Sequence, residues 1–337
     1  MRFKTVLLFI TGLIIYFGIF WLVGMEKLIY QIVRINFGFY AIGIACFFFT
    51  IILWTLRWRL FFKHRSKITF YNLFKVLLIG LAINNLTPVA KLGGEPIRIY
   101  ILKKRYHIPT ENGTATVLAD LTIELITSSI FVIISMILIT LLMNPPIWLS
   151  FVLIVFSFLT LVALLWVFGI YSNRSIVNKI ILWFTKKFEK IKPFKKRIIE
   201  GYKEFQISFR RSLKERNILF KTIFLSFFMK FFDISKFFFI FLALGYHISL
   251  VQIIVALGIG IMLMSIPATP GNLGVFEGGM ISAFVLIGIS PEIAATVVFL
   301  ERIVSFWLTT VLGSYIGILQ GFNVAKKHKL KDIRIYP

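Results

Sequence analysis

Apolar residues in this chain come in long unbroken runs. Windows near 5–24, 37–56, 114–143, 147–171, 218–244 and 291–321 are predominantly apolar. Each is long enough to cross about 30 Å of hydrocarbon as a helix. Two further segments, 70–105 and 250–289, behave differently. Each starts apolar, breaks at Pro and Gly, and resumes as a second half-helix. The pattern predicts an all-α polytopic membrane protein. About six full transmembrane helices are joined by two oppositely oriented re-entrant hairpins that form an inverted repeat.

Composition agrees. The chain is 58% hydrophobic and 17% aromatic, more apolar surface than a soluble domain of this length can hide. Its only sizeable polar stretch, 172–217, carries 14 Lys/Arg against 4 Glu. Within it Phe194, Ile198, Tyr202, Phe205 and Phe209 fall on one helical face, the pattern of a helix lying on a leaflet surface. Cys46 stands alone, so neither a disulfide framework nor a metal cluster is expected.

The formal charge of +24 is assigned to cytoplasmic loops facing anionic headgroups. Nucleic acid is not expected as a partner, because no fold that binds it is recognisable. The cluster Arg57/Arg59/Lys63/Arg65/Lys67, the 172–217 loop and the tail from Lys326 to Arg334 are all basic. By the positive-inside rule they face the cytoplasm. Arg2 and Lys4 precede the first run, with no small-residue cleavage site after it. That run reads as a retained span with both termini cytoplasmic, in the cell membrane. Met25–Asn36 then reads as an external loop. The expected organisation is a first membrane half (1–171, hairpin 70–105), a basic loop (172–217), a second half (218–325, hairpin 250–289) and a basic tail (326–337). Basic residues flank the first hairpin, so its ends face inward, and those of the second face outward.

The breaks share a motif. The first reads Thr87-Pro88-Val89-Ala90-Lys91-Leu92-Gly93-Gly94-Glu95. The second reads Thr269-Pro270-Gly271-Asn272-Leu273-Gly274-Val275-Phe276-Glu277. Each is followed by Ala-Thr-Val opening a long helix, with Thr116 29 residues after Thr87 and Thr296 27 after Thr269. Interrupted hydrophobic segments at matching places in two halves point to a transporter's binding site. Pro96 is expected at the first helical position after the first break, and Val275 resumes the helix after the second. Helix N-termini aimed at the membrane interior attract anions, and Lys91 and Arg98 add full charges at the first. The expectation is that the breaks hold a lipid phosphate. The alternative is that Gly and Pro shape turns while Glu95 and Glu277 cap helices. Function is favoured for Glu277, which has fewer charged neighbours.

Ionisable residues in apolar runs are costly and point to function. Asp120 and Glu124 share a face at i, i+4. Glu301 and Arg302 lie in the last span, and Arg302 is expected to pair with Asp120, Glu124 or a substrate phosphate. Lys230, Asp233 and Lys236 share a face of the fifth span, read as a neutralising ion pair around Asp233. Candidate substrate-binding residues are therefore Asn85, Pro88, Lys91, Gly93, Gly94, Glu95, Arg98, Asp120, Glu124, Pro270, Gly271, Asn272, Gly274, Glu277, Glu301 and Arg302. No catalytic residue, metal or cofactor is expected.

The runs Asn84-Asn85-Leu86-Thr87-Pro88 with Gly93-Gly94-Glu95-Pro96-Ile97-Arg98, Pro267 to Glu277, and Leu300-Glu301-Arg302 resemble the transmembrane region of lysylphosphatidylglycerol synthases, a flippase-like family. The likeness runs from about Arg2 to Asn323. It implies a multi-pass protein that moves a lipid between leaflets, with Glu277 and Arg302 on family motif positions. Two departures matter. No aminoacyl-transferase domain is expected, so synthase activity is not carried over. In addition, Asp120-Leu121-Thr122 stands where the family often has an acidic-Arg pair.

The leading expectation is a translocator of a phospholipid or lipid-linked headgroup working by alternating access. No phosphate-binding Gly-x4-Gly-Lys-Ser/Thr loop occurs, so an ion gradient or the lipid gradient would drive it. One alternative is a membrane-embedded enzyme acting on a lipid phosphate. Against it, His64, His107, His247 and His328 all lie in predicted loops or ends. Another is a non-catalytic partner of a separate lipid-modifying transferase. Expected partners are membrane lipids with anionic headgroups, such an enzyme, and a second copy in a homo-oligomer.

Overall fold

The computed structural model describes residues 3–62, 68–88, 93–143, 154, 155, 158, 215–265 and 268–333. Lys91, the 147–171 span (three residues apart), the 172–217 loop up to residue 214 and the end of the tail lie outside them. The regular elements among the described residues are all helical. We label them α1 (Phe3–Val23), α2 (Met25–Val33), α3 (Phe37–Leu60), α4 (Phe70–Leu86), α5 (Glu95–Tyr106), α6 (Thr110–Met143), α7 (Arg216–Ala243), α8 (Leu250–Met264), α9 (Val275–Leu286), α10 (Pro291–Arg302) and α11 (Thr309–Ile333). A 3₁₀ turn at Pro270–Asn272 precedes α9, and a π-helical stretch, Ile303–Leu308, joins α10 to α11.

Three stretches are long and apolar enough to cross a bilayer: Phe37–Leu60, Thr110–Leu141 and Pro291–Gly321. A fourth arises if α1 and α2 count as one bent element. The expected external loop after α1 is instead mostly the helix α2, set off by an 82° bend at Gly24 with φ 109°. Helix α7 occupies the expected fifth span, but Lys230, Asp233 and Lys236 within it raise its charge content above that of a purely apolar span. Those charges are satisfied internally, as described below.

Sequence-local chemistry fixes the ends of these helices. Asn36 caps α3 by accepting from the Gly38 and Phe39 amides, and its own amide donates to the Ala243 carbonyl at 2.8 Å. The start of α3 is thereby tied to the end of α7. Ser249 and Gln252 form a reciprocal capping box at the start of α8. The Gln252 side chain also donates to the Ile287 carbonyl at 2.9 Å, so the two ends of the α8–α9 hairpin meet.

The apolar core divides into two clusters. One cluster is built mainly from α1, α2, α7 to α10 and the end of α6, around Tyr16, Phe20, Phe237, Phe241 and Phe284. The other is built mainly from α3 to α6, around Trp58, Leu73, Leu77 and Leu102. Small residues let helices approach where the halves cross, as expected when association rests on close packing. A side-chain carbon on Gly313 of α11 would overlap the Leu78 carbonyl of α4. The last helix therefore crosses the first hairpin almost backbone to backbone. Phe220, Phe224, Phe227, Phe228 and Phe231 of α7 remain exposed, the surface such a chain turns to lipid.

Candidate functional site

The second break, and the described ends of the first, have the geometry that their sequences demand. In the second, Gly271 (φ 60°), Asn272 (φ 53°) and Gly274 (φ 84°) are left-handed, a conformation open to Gly and, next best, to Asn. Pro270 starts the turn, and the Asn272 amide group anchors it by donating to the Leu263 carbonyl at 3.2 Å. The Thr269 hydroxyl donates to the Leu273 carbonyl at 2.7 Å. In the first break, the Gly94 amide donates to the Asn84 side chain at 2.7 Å. A side chain on Gly94 would collide with the Gly80 carbonyl, and one on Gly93 with the Thr87 hydroxyl. Helix α5 begins at Glu95, so Pro96 falls one position later than the sequence suggested.

The two motif copies, far apart in sequence, meet. Asn85 at the end of α4 donates from Nδ2 to the Thr310 hydroxyl (2.9 Å), the Phe306 carbonyl (3.2 Å) and the Thr309 hydroxyl (3.3 Å). Its partners lie in and just after the π-helical stretch. Such stretches leave carbonyls out of the regular ladder and recur at functional sites. Asn84, Asn85 and Thr87 line a small cavity of about 20 Å³ together with Met264, Thr269, Gly271 and Asn272. That is room for about one water. Pro88 ends the described part of the first break, beside this cavity in sequence.

Two ion-pair clusters flank the breaks. In the first half, buried Arg57 reaches Asp120 through Nε (2.9 Å) and Glu124 through Nη1 (2.7 Å). Asp120 also accepts from Trp54 Nε1 at 2.7 Å. Arg98 pairs with Glu95 at 2.7 Å, approaches Asp120 at 3.5 Å, and stacks on Trp58 with its guanidinium 3.9 Å from the ring. Lys230 completes the group on Glu124 at 3.0 Å. Three cations thus face three carboxylates. In the second half, Arg302 Nε donates to Glu277 at 2.5 Å and its Nη2 to the Gly271 carbonyl at 3.1 Å. Lys236 donates to Glu301 at 2.7 Å, and Ser305 donates to the same carboxylate at 3.0 Å.

These contacts correct several sequence expectations. Glu277 is not short of charged neighbours: it is fully buried against Arg302, and its other oxygen accepts from the Gly274 amide at 2.6 Å. The α9 N-terminus is therefore filled by the chain's own carboxylate, the capping alternative. Arg302 pairs with Glu277, while Asp120 and Glu124 go to Arg57. Lys230 and Lys236 each reach a glutamate on another helix, so they are more than neutralisers of Asp233, which accepts from the Thr50 hydroxyl at 3.4 Å.

Arg57, the first residue of the basic cluster after the second span, is the buried hub of the first network. The signal was present in the sequence. Thr50, Trp54 and Arg57 lie at i, i+4 and i+7, one polar stripe on an apolar helix, and all three bind carboxylates of neighbouring helices.

The Pro-Gly break carrying Glu277 and its Arg302 partner, with the matching Gly-Gly-Glu break, lies within a region that a family profile recognises. The lysylphosphatidylglycerol synthase transmembrane region profile matches residues 7–313. The chain belongs to that family. It is 29% identical over 343 residues to a UPF0104 membrane protein of Pyrococcus horikoshii, covering 97% of this chain and 98% of the relative. It is 29% identical over 338 residues to a UPF0104 membrane protein of Methanothermobacter thermautotrophicus, covering 98% and 99%. A third such protein, from Methanocaldococcus jannaschii, is 28% identical over 330 residues, 94% of each chain. No solved structure matches the chain. This is therefore an integral membrane protein of that family.

Proposed function

We propose that the protein moves a phospholipid or lipid-linked headgroup between leaflets, with the paired breaks as its translocation site. The observation that carries this reading is the convergence of both motif copies on one polar cavity, Asn84, Asn85 and Thr87 facing Thr269, Gly271 and Asn272. Irregular backbone at membrane depth is tolerated where it is buried or lines a wet cavity, and paired broken helices are the pattern of alternating-access transporters.

The layout proposed is six full crossings and two re-entrant hairpins of opposite orientation, with both termini cytoplasmic in the cell membrane. Several contacts support it. Lys27 and Glu292, both expected outside, pair at 2.8 Å. The end of α3, the start of α4 and the start of α7, all expected inside, line one groove. The halves then correspond as α3–α4/α5–α6 and α7–α8/α9–α10. In each, a cation on the helix before the hairpin pairs with a carboxylate on the helix after it: Arg57 with Asp120, and Lys236 with Glu301. In each, the break's glutamate pairs with an arginine: Glu95 with Arg98, and Glu277 with Arg302. The charged pairs are thus alike in kind, although Arg98 lies within its hairpin and Arg302 on the helix after it, and Asp120-Leu121-Thr122 and Leu300-Glu301-Arg302 differ in sequence.

Neutralised clusters hold the halves rigid between two arrangements. Arg57 Nη2 and Arg98 Nε have no hydrogen-bond partner among the described residues. A buried donor left unpaired costs about 1–3 kcal/mol, so an anionic headgroup oxygen or a water that reaches it is strongly favoured. Lipid binding must differ between the two states for transport to follow. The test is reconstitution in liposomes containing headgroup-labelled lipid, with leaflet exchange read by a membrane-impermeant quencher. Exchange above that of empty liposomes supports the reading. No exchange across anionic, zwitterionic and polyprenyl-linked lipids would sink it and favour a partner of a separate lipid-modifying enzyme.

A further inference from the structure

Away from the breaks, the structure holds a much larger recess. A groove of about 1030 Å³ opens between the end of α3, the start of α4 and the start of α7. It shares no lining residue with the cavity between the breaks. Leu56, Leu60, Phe62, Phe70, Phe224 and Leu225 make it mostly apolar. Arg59 and Lys221 also line it, and both are exposed. No acidic side chain is among the described residues that line it. Helix α4 has no acidic residue in its first turn, so its N-terminal partial positive charge adds to the two cations uncompensated.

Three facts select the occupant. The volume is that of a binding site for a sizeable ligand. Among the described residues, the lining pairs a hydrocarbon-compatible wall with positive charge alone. Finally, Phe224 is also one of the exposed phenylalanines on the face of α7, so the groove is continuous with the surface that meets lipid. We propose that this groove binds one anionic phospholipid drawn from the bilayer, an acyl chain against Leu56, Phe70 and Phe224 and the phosphate held by Arg59 and Lys221. Arg59 is thereby distinguished from Arg57 two residues earlier. The helix turns one arginine into the protein, where carboxylates claim it, and leaves the other in the groove, with no acidic side chain among the described residues that line it. The site stands on groove chemistry alone and does not require the chain to move lipid.

The test is native mass spectrometry of the full chain released from detergent with phosphatidylglycerol or phosphatidylcholine of identical chains. Wild type is expected to retain one phosphatidylglycerol in preference to phosphatidylcholine. Arg59→Gln with Lys221→Gln should weaken that retention about thirty-fold, the effect of two cations near a membrane surface at about 1 kcal/mol each. Leu56→Trp, which fills the apolar wall and leaves both charges, should weaken retention of phosphatidylglycerol as well. An unchanged melting temperature for each variant confirms that it is folded. Equal retention of the two lipids by wild type would overturn the proposal. So would loss in the charge variant with none in Leu56→Trp, which would assign the effect to diffuse attraction by the basic face.

Discussion

Replacing Glu277 tests whether the second break is held by an ion pair or by backbone shape alone. Glu277 is fully buried and Arg302 is nearly so, and the carboxylate divides its oxygens between Arg302 and the Gly274 amide. Glu277→Leu leaves Arg302 with the Gly271 carbonyl and the Phe276 ring but without its partner carboxylate, a broken buried pair costing about 3–5 kcal/mol. Loss of the helix cap adds about 1 kcal/mol. At roughly 2–4 °C per kcal/mol, the apparent melting temperature in detergent should fall by about 10 °C or more. Arg302→Leu strands the carboxylate and should cost nearly as much. The double variant Glu277→Leu/Arg302→Leu removes both charges, so its loss should be smaller than that of either single variant, since apolar replacement of a buried pair is often close to neutral. Glu277→Gln keeps the cap and one acceptor and should fall between wild type and Glu277→Leu. The assay is thermal unfolding followed by size-exclusion chromatography of the four variants and wild type. Additive losses in the double variant would refute the pairing.

Other perturbations separate further parts of the account. Asp120→Asn should lower the melting temperature more than Glu124→Gln, because Asp120 is buried between two arginines while Glu124 is about a third exposed; reversal of that order in the same thermal assay would place the hub elsewhere. Gly313→Ala should destabilise by about 1–3 kcal/mol, the usual penalty of overpacking, because the new methyl meets the Leu78 backbone. Gly317→Ala one turn on meets only Ile79 at 3.8 Å and should be neutral or stabilising, given the higher helix propensity of Ala; unfolding midpoints of the pair decide. Impermeant maleimide applied to intact cells should label Lys27→Cys and not His107→Cys, and the opposite pattern would invert the proposed topology.

Much of the fold was legible because lipid imposes one strong rule: backbone polar groups must be satisfied within the segment. Long apolar runs therefore mark helices, and α3, α6 and the last helix fall where the runs are. The breaks were legible for a related reason. Pro270, Gly271 and Gly274 fit the left-handed turn that the structure adopts, and Gly93 and Gly94 fit the close approaches to Thr87 and Gly80.

Pairing was not legible. Arg57 and Arg59 look alike in a charge count, yet a step of two residues on a helix turns them to opposite sides, and among the described residues Arg57 alone of the two is paired with carboxylates. The Lys236–Glu301 and Arg302–Glu277 pairs depend on which helix faces lie together, information that periodicity within one helix does not contain. Helix α2 escaped because nine residues of mixed polarity read as a loop when only spans are sought.

The central claim is that the two breaks act as one lipid site, and leaflet exchange with one substitution per break tests it most directly. Wild type, Asn85→Ala and Asn272→Ala would be reconstituted in liposomes at matched density, each first verified as folded by its melting profile. Asn85→Ala removes the contacts to Phe306, Thr309 and Thr310, and Asn272→Ala removes the anchor to Leu263. The account predicts that wild type exchanges labelled lipid faster than empty liposomes and that both variants slow it by at least tenfold, the effect of about 1.4 kcal/mol on the rate-limiting step. Wild-type exchange that persists at full rate in both folded variants would contradict it.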